Sequence, residues 1–223
     1  MAWLSKWPLT NLLVVSLFKS NQDARTQLDE QLFADGSIAC QSKSPQARTK
    51  DTASTRPHSA GETMDSAAFS YVIRRAQPAD TEAIARLELD SAAYEGRLEP
   101  LNFTPTELAR LWQERIRSLR YEVLVAEAGQ TLLGFVGIMA PAGGNGFIQA
   151  IYIAPAFYHR GIGTQLLQVC EKIFKLRKCP RVVLYVEPKN HNGQSFYRKA
   201  GYVATNQKFR HLTVWVKEFA SSC

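Results

Sequence analysis

From Phe69 onward, apolar and polar positions follow regular periods. Tyr71 to Arg75 reads as a short strand, and Pro78, Ala79 and Asp80 open a helix carrying Ile84, Leu87 and Leu89. Thr104-Pro-Thr-Glu107 is a capping box with proline at the first helical position, so a second helix starts there. Leu108, Leu111, Trp112, Ile116 and Leu119 give that helix one apolar face. Glu122 to Ala128 and Leu132 to Met139 then predict two strands joined by a tight Gly129-Gln130 turn. After a glycine-rich loop ending at Gly146, Phe147 to Ile153 predicts another strand, stopped by Pro155. A helix from about Gly161 places Ile162, Leu166, Leu167, Cys170, Ile173 and Phe174 on one face, and Lys175, Arg177 and Lys178 at the negative end of its dipole. Val182 to Val186 is continuously apolar and β-branched, the pattern of a central strand buried on both faces. A short helix from about Gly193 to Ala200 and a strand from Leu212 to Lys217 close the chain. Strand, two helices, a β-meander and then α-β-α-β make one α/β domain with a mixed sheet, without internal repeats.

The first third of the chain is patterned differently. Leu9 to Phe18 is apolar, but it is about half the ~20 residues that span a bilayer, and Asn11 interrupts it. No small-residue cleavage site follows it, so neither a secretory signal nor an anchor is expected. From Ala39 to Thr63 there is no Leu, Ile, Val, Phe, Tyr or Trp, and such a stretch is expected to be disordered for want of apolar surface to bury. The expected division is therefore an extension over residues 1–68 and a folded domain over residues 69–223. Met64 stands just before that domain, which raises the prospect that translation starts there; any native peptide from residues 1–63 in a mass spectrum would exclude it.

Composition narrows the class. The chain has 223 residues, 45% hydrophobic and 21% charged, values of an ordinary globular protein long enough to bury a core without staples. Four scattered cysteines (Cys40, Cys170, Cys179 and Cys223) form neither a disulfide framework nor a zinc pattern, and no metal is expected. Residues 1–68 hold seven basic and seven acidic residues, so the whole formal charge of +7 falls on the domain. That excess suits a polyanion, including a small phosphorylated ligand. Around Lys189, Arg198, Lys199, Lys208 and Arg210 interleaved stacking aromatics are few and no recognised nucleic-acid module appears, so no nucleic acid is expected as a partner, nor is a membrane.

The strongest chemical signal runs from Ile151 to Gln165: a strand, a loop ending in Gly161-Ile-Gly163, and the start of an amphipathic helix. Glycines at a strand-to-helix turn allow close approach of a ligand, and the free amides of a helix N-terminus attract phosphate. His159 and Arg160 put hydrogen-bonding or cationic groups at the lip of that turn. A dinucleotide fingerprint is excluded because the third glycine and the later acidic residue are missing, and there is no Gly-Lys-Ser/Thr of a P-loop.

Residues 69 to 219 resemble the GCN5-related N-acetyltransferases, the acetyl-CoA-dependent GNAT superfamily. That family's Gln/Arg-x-x-Gly-x-Gly/Ala signature appears as Tyr158-His-Arg-Gly161-Ile-Gly163 after the Ile153-Ala-Pro155 turn. Its second mark appears as Asn190, then Tyr197 seven residues on, then Gly201-Tyr202. The Ala92 to Leu98 stretch before a Trp-containing helix is similar to a bacterial branch of unassigned substrate. The resemblance implies a GNAT-like α/β fold, a mixed central sheet with a splayed pair of strands flanked by about four helices. It implies that the backbone of Ile151, Tyr152 and Ile153 pairs with the pantetheine arm of acetyl-CoA. It implies that the loop amides of His159, Arg160, Gly161, Ile162, Gly163 and Thr164 hold the pyrophosphate, and that Asn190 contacts the same co-substrate. Tyr197 would protonate the departing thiolate, a transfer between groups of similar basicity that needs no acyl-enzyme. A cytoplasmic enzyme follows, and a homodimer is common in that family.

Two departures stand out. Tyr158 replaces the usual Gln or Arg, which leaves backbone amides to make most of the phosphate contact. The general base is also displaced: one branch of the family, which acetylates ribosomal protein N-termini, has Glu where this chain has Tyr185, and others have Glu where it has Gln149 or Ala150. Glu187, Glu95 or a water chain would take the proton instead. The expected function is transfer of the acetyl group of acetyl-CoA directly to a primary amine: a small amine, an amino acid, or a protein N-terminus or lysine. The acceptor pocket would be built from Asp90 to Asn102, the second helix and the late strands, with Glu95 and Glu99 among them. The alternative is a non-catalytic GNAT-like module that binds acyl-CoA or a protein; the displaced base favours it, whereas Tyr197 and Asn190 favour catalysis.

Overall fold

The computed structural model describes residues 31–44, 68–94 and 103–219. The Leu9–Phe18 stretch, Met64, Glu95, Glu99 and Cys223 lie outside the described residues. Among the described residues are eight strands in one sheet and four α-helices. In chain order these are β1 (Ser37–Gln41), β2 (Ser70–Arg75), α1 (Thr81–Tyr94), α2 (Pro105–Arg117), β3 (Glu122–Ala128), β4 (Thr131–Met139) and β5 (Gly146–Ile153). They continue with α3 (Ile162–Leu176), β6 (Arg181–Val186), α4 (His191–Lys199), β7 (Val203–Phe209) and β8 (Leu212–Glu218). The sheet order is β1-β2-β3-β4-β5-β6-β8-β7, antiparallel throughout except for the β5–β6 pair. This is the mixed α/β sheet with about four flanking helices that the sequence predicts.

Helices cover both faces of the sheet. On one, Ile84 and Leu87 of α1 and Leu108 and Trp112 of α2 pack with Val123, Val125, Phe135 and Tyr152. On the other, Leu166, Cys170, Ile173 and Phe174 of α3 pack with Ile73, Leu124, Val136, Ile148 and Leu184. The capping box forms as the sequence suggests: Glu107 N–H donates to Thr104 Oγ1, and Thr104 N–H donates to the Glu107 carboxylate. Two ion networks tie the strands at their ends. Arg74 reaches both Asp80 and Glu127, and buried Glu122 lies between Arg75 and Arg177. Arg177 therefore does not serve the helix dipole; its guanidinium turns inward to Glu122 Oε1 at 2.6 Å and to the Ala140 carbonyl at 2.8 Å. Among the described residues no helix is long and apolar enough to cross a membrane.

Three features depart from the sequence expectation. β1 falls partly inside the stretch expected to be disordered, pairing antiparallel with β2 from Ser37↔Arg74 to Gln41↔Ser70. Its anchors precede the aliphatic-free run: Phe33 is 6% exposed within the core, and Ile38 packs beside it. An edge strand needs only main-chain pairing along one side, which Ala39, Cys40 and Gln41 supply. β6 is buried on one face only; Val182, Leu184 and Val186 enter the core, whereas Val183 and Tyr185 are half-buried. On that face Tyr185 is bordered by the rings of Phe147 and Phe209. Finally, β7 is hidden by its polarity: Val203-Ala-Thr-Asn-Gln-Lys-Phe209 is a largely exposed edge strand with no apolar alternation.

Candidate active site

The site begins with a defect in the sheet. β5 and β6 share only two ladder positions, Gly146↔Val182 and Phe147↔Val183. Beyond Phe147 the strands part, so the β6-facing edge of β5 from Ile148 to Ile153 has no ladder partner in β6. Main-chain donors and acceptors left open inside a sheet are a template for an extended ligand with amides of its own. A register shift in the β4–β5 ladder sharpens the divergence: Gly137 pairs Ala150 and Ile138 pairs Ile148, which leaves Gln149 bulged between them. The Gln149 side-chain oxygen is buried without a hydrogen-bond partner among the described residues. Ile151, Tyr152 and Ile153 occupy the open stretch, with Ser91 Oγ donating to the Ile153 carbonyl at 3.1 Å.

At the end of β5 a 3-10 turn (Pro155–Phe157) leads into the glycine loop. His159 and Gly161 both take left-handed backbone, with φ of 63° and 81°. Gly161 is the N-cap of α3, and because glycine has no side chain, nothing on it caps the helix. The first amides of α3 thus have no intrahelical partner and carry the positive end of a 15-residue dipole. The two glycines play different parts. Gly163 is helical, and a β-carbon there would sit in ordinary contact 3.5 Å from Ile153 Cγ1 and from Phe196. That contact shows the convergence of the site: the end of β5, the start of α3 and the inner face of α4 meet at Gly163.

Each predicted residue can now be located. Arg160 does not present its guanidinium at the lip; it is 3% exposed and stacks over Phe69 at 5.5 Å, so only its backbone borders the loop opening. Tyr158 packs edge-on against Tyr94 with ring centroids 5.4 Å apart. Asn190 is the N-cap of α4, its Oδ1 accepting from Gly193 N–H at 2.7 Å. Further along the same helix, Tyr197 is half-buried, edge-on to Phe196 and Tyr202. Glu187 follows the last residue of β6, and its carbonyl accepts from Asn190 N–H at 2.9 Å. Burial raises the thiols of Cys170 and Cys179, the latter to about 11, which fits core residues and not nucleophiles. Among the described residues no cluster of three His, Cys, Asp or Glu side chains is placed to hold a metal ion.

Sequence reasoning misses an aromatic wall. Tyr185 of β6 stacks on Phe209 of β7 at 5.1 Å and leans on Phe147 of β5 at 5.1 Å, with Arg210 over Phe209. The wall stands on the sheet face opposite α3; Phe147 and Tyr185 lie on the two strands of the slit, and Phe209 lies on the edge strand beyond β8. Burial raises the Tyr185 phenol above its ordinary value. Its members are 24 to 62 residues apart, and no local periodicity joins them.

A strand pair opened by a bulge, with an uncapped helix N-terminus at its wide end, matches known proteins in sequence and shape. Residues 85–202 match the Acetyltransferase (GNAT) family. The peptidyl-lysine N-acetyltransferase YiaC of Escherichia coli (strain K12) is 31% identical over 154 residues, which are 65% of this chain and 94% of that protein. A spermidine N(1)-acetyltransferase of Thermoplasma acidophilum is 35% identical over 96 residues, 42% of this chain and 59% of its own. Among solved structures, the PaiA N-acetyltransferase of Thermoplasma acidophilum in complex with coenzyme A superimposes with a TM-score of 0.61 at 25% identity, over 68% of this chain and 100% of that one. With the family matched across more than half of its length and this slit at its centre, the chain belongs to the acetyltransferase (GNAT) family and is an N-acetyltransferase.

Proposed function

We propose that the protein transfers the acetyl group of acetyl-CoA directly to a primary amine carried on an aliphatic stem, such as a lysine side chain or a polyamine. The observation that carries this reading is the two-position β5–β6 ladder, which leaves the edge of β5 open toward the uncapped start of α3. In this reading Ile151, Tyr152 and Ile153 pair with the pantetheine arm, and the amides from His159 to Thr164 take the pyrophosphate. Asn190, already a helix cap, borders the same ligand. The relatives that act on a peptidyl lysine and on spermidine support the acceptor class, and the Phe147–Tyr185–Phe209 wall offers methylenes an apolar surface. In the same reading the catalytic domain spans residues 69–223, and the enzyme works in the cytoplasm.

The chemistry asks little of side chains. The amine nitrogen attacks the thioester carbonyl, the strand amides steady the oxyanion, and the carbon–sulfur bond then breaks. Tyr197 gives its phenolic proton to the departing sulfur. Glu187, at the end of β6, receives the proton lost by the ammonium, directly or through water; its carboxylate has no hydrogen-bond or ion-pair partner among the described residues. As the carbon–sulfur bond breaks, the nitrogen loses its second proton, which restores the Tyr197 phenol, and the proton held by Glu187 passes to solvent. Two measurements test the reading. Acetyl-CoA at 100 times its Kd should stabilise the full chain by about 2.7 kcal/mol. Tyr197→Phe should bind CoA as the parent does yet lose about a hundredfold or more in turnover with a panel of lysine peptides and polyamines. Unchanged turnover removes Tyr197 from the reaction, and no ligand-dependent stabilisation removes the enzyme reading itself.

A further inference from the structure

The segment before the family domain reaches the phosphate end of the slit. After β1, Ser42 is buried and locks to Phe69, the residue before β2, through two hydrogen bonds: its N–H donates to the Phe69 carbonyl, and its Oγ accepts from Phe69 N–H, both at 2.9 Å. The next residue, Lys43, donates its own N–H to the carbonyl of Arg160 at 2.9 Å. The extension is therefore stitched to the glycine loop by main chain. The Lys43 side chain then lies along the loop, with Cγ, Cδ and Cε 3.3–3.4 Å from where a β-carbon on Gly161 would stand. The residue is exposed, and among the described residues nothing forms an ion pair or hydrogen bond with its ammonium. Arg160, the cation that the loop itself encodes, is turned inward over Phe69. The loop's own charge is thus withdrawn from the opening, and a charge from more than a hundred residues upstream is laid across the same glycine.

We propose that Lys43 is a co-substrate-binding residue supplied from outside the family domain, its ammonium pairing with the pyrophosphate held by the amides around Gly161. The proposal rests on the reading that the slit takes acetyl-CoA. The family match begins at residue 85, so nothing in it assigns a role to Lys43. Residues 31–44 thereby gain a purpose, because a chain begun at Met64 would lack this cation.

The test is calorimetric titration of the full-length chain with CoA at low ionic strength, for the parent and for Lys43→Gln, Lys43→Glu and Lys43→Arg. Loss of one solvent-exposed charge pair should raise Kd about two- to fivefold in Lys43→Gln, with a larger rise in Lys43→Glu and parental affinity in Lys43→Arg. The Lys43→Gln effect should fade as salt is raised and should persist with dephospho-CoA, which keeps the pyrophosphate but lacks the 3′-phosphate. Equal affinity across the variants overturns the proposal, as does tighter binding by Lys43→Gln, which would make the lysine an obstruction. An effect that disappears with dephospho-CoA overturns the pyrophosphate assignment. If the parent itself fails to bind CoA, the fault lies with the functional reading and not with Lys43.

Discussion

Replacing each glycine of the loop by alanine, one at a time, should move stability in opposite directions. Gly161 has φ of 81°, and an alanine held in left-handed backbone costs about 1–2 kcal/mol. Its new β-carbon would also meet the Lys43 methylenes at 3.3 Å, but those belong to an exposed, flexible side chain that can withdraw by a few tenths of an ångström. The strain of the backbone therefore dominates. Gly163 has helical backbone, and its nearest neighbours would stand at 3.5 Å, so alanine fits without displacement and restricts the unfolded chain, a gain of about 0.4–1 kcal/mol. The two variants should differ by roughly 1.5–3 kcal/mol in urea unfolding with a shared m value, or several degrees in Tm. Gly161→Ala should in addition bind CoA more weakly, because relief of the strain rotates the amides at the start of α3. A Gly161→Ala protein as stable as its parent, or a Gly163→Ala protein less stable than Gly161→Ala, would refute the loop conformation on which the phosphate site depends.

Two further outcomes concern the ion networks. Glu122→Gln leaves the buried guanidinium of Arg177 and that of Arg75 without their shared carboxylate, and should cost about 3–5 kcal/mol in denaturant unfolding; a loss under about 1 kcal/mol would mean the pair is solvated. For Asp80, burial pushes the carboxyl up, but the hydrogen bonds from Arg74 and from the Gln77 N–H outweigh it and hold the group below its usual range. A carboxyl depressed in the folded state stabilises above its unfolded pKa of about 3.9, and that contribution is lost as pH falls through the folded value. The parent should therefore lose more stability between pH 5 and pH 2 than Asp80→Asn does; parallel curves would remove Asp80 from the acid response.

What is legible in the sequence is what depends on near neighbours. The Thr104–Glu107 capping box, the Gly129 hairpin and the Gly161 helix start are each decided within a few residues, and each stands where its residue types put it. β1 and β7 escape notice because an edge strand satisfies its main chain against one partner and needs no apolar alternation. β6 reads as a strand buried on both faces because its apolar side chains do not disclose that Val183 and Tyr185 stay only half-buried. Arg160 and Arg177 take their expected roles from their places on a loop and a helix end, whereas their guanidinium groups go to Phe69 and to Glu122, partners far away in the chain. The site follows the same division. The loop and α4 carry local signatures, but the aromatic wall and Lys43 are assembled only by the sheet order.

The parted strands have a consequence for how this protein can vary. If the slit binds as proposed, through main-chain edges, its affinity resides in backbone shape, and side-chain truncation at Ile151 or Ile153 leaves the donors and acceptors where they were. Such a site would be nearly silent in an alanine scan. It is correspondingly fragile toward changes that act on the chain path: a proline that removes one donor, or a single deletion that erases the bulge at Gln149. The aromatic wall of Phe147, Tyr185 and Phe209, proposed as the acceptor face, has the opposite character, because every substitution there alters the surface itself. In the proposed reading, one half of the molecule can thus drift toward new acceptors while the other half keeps its grip.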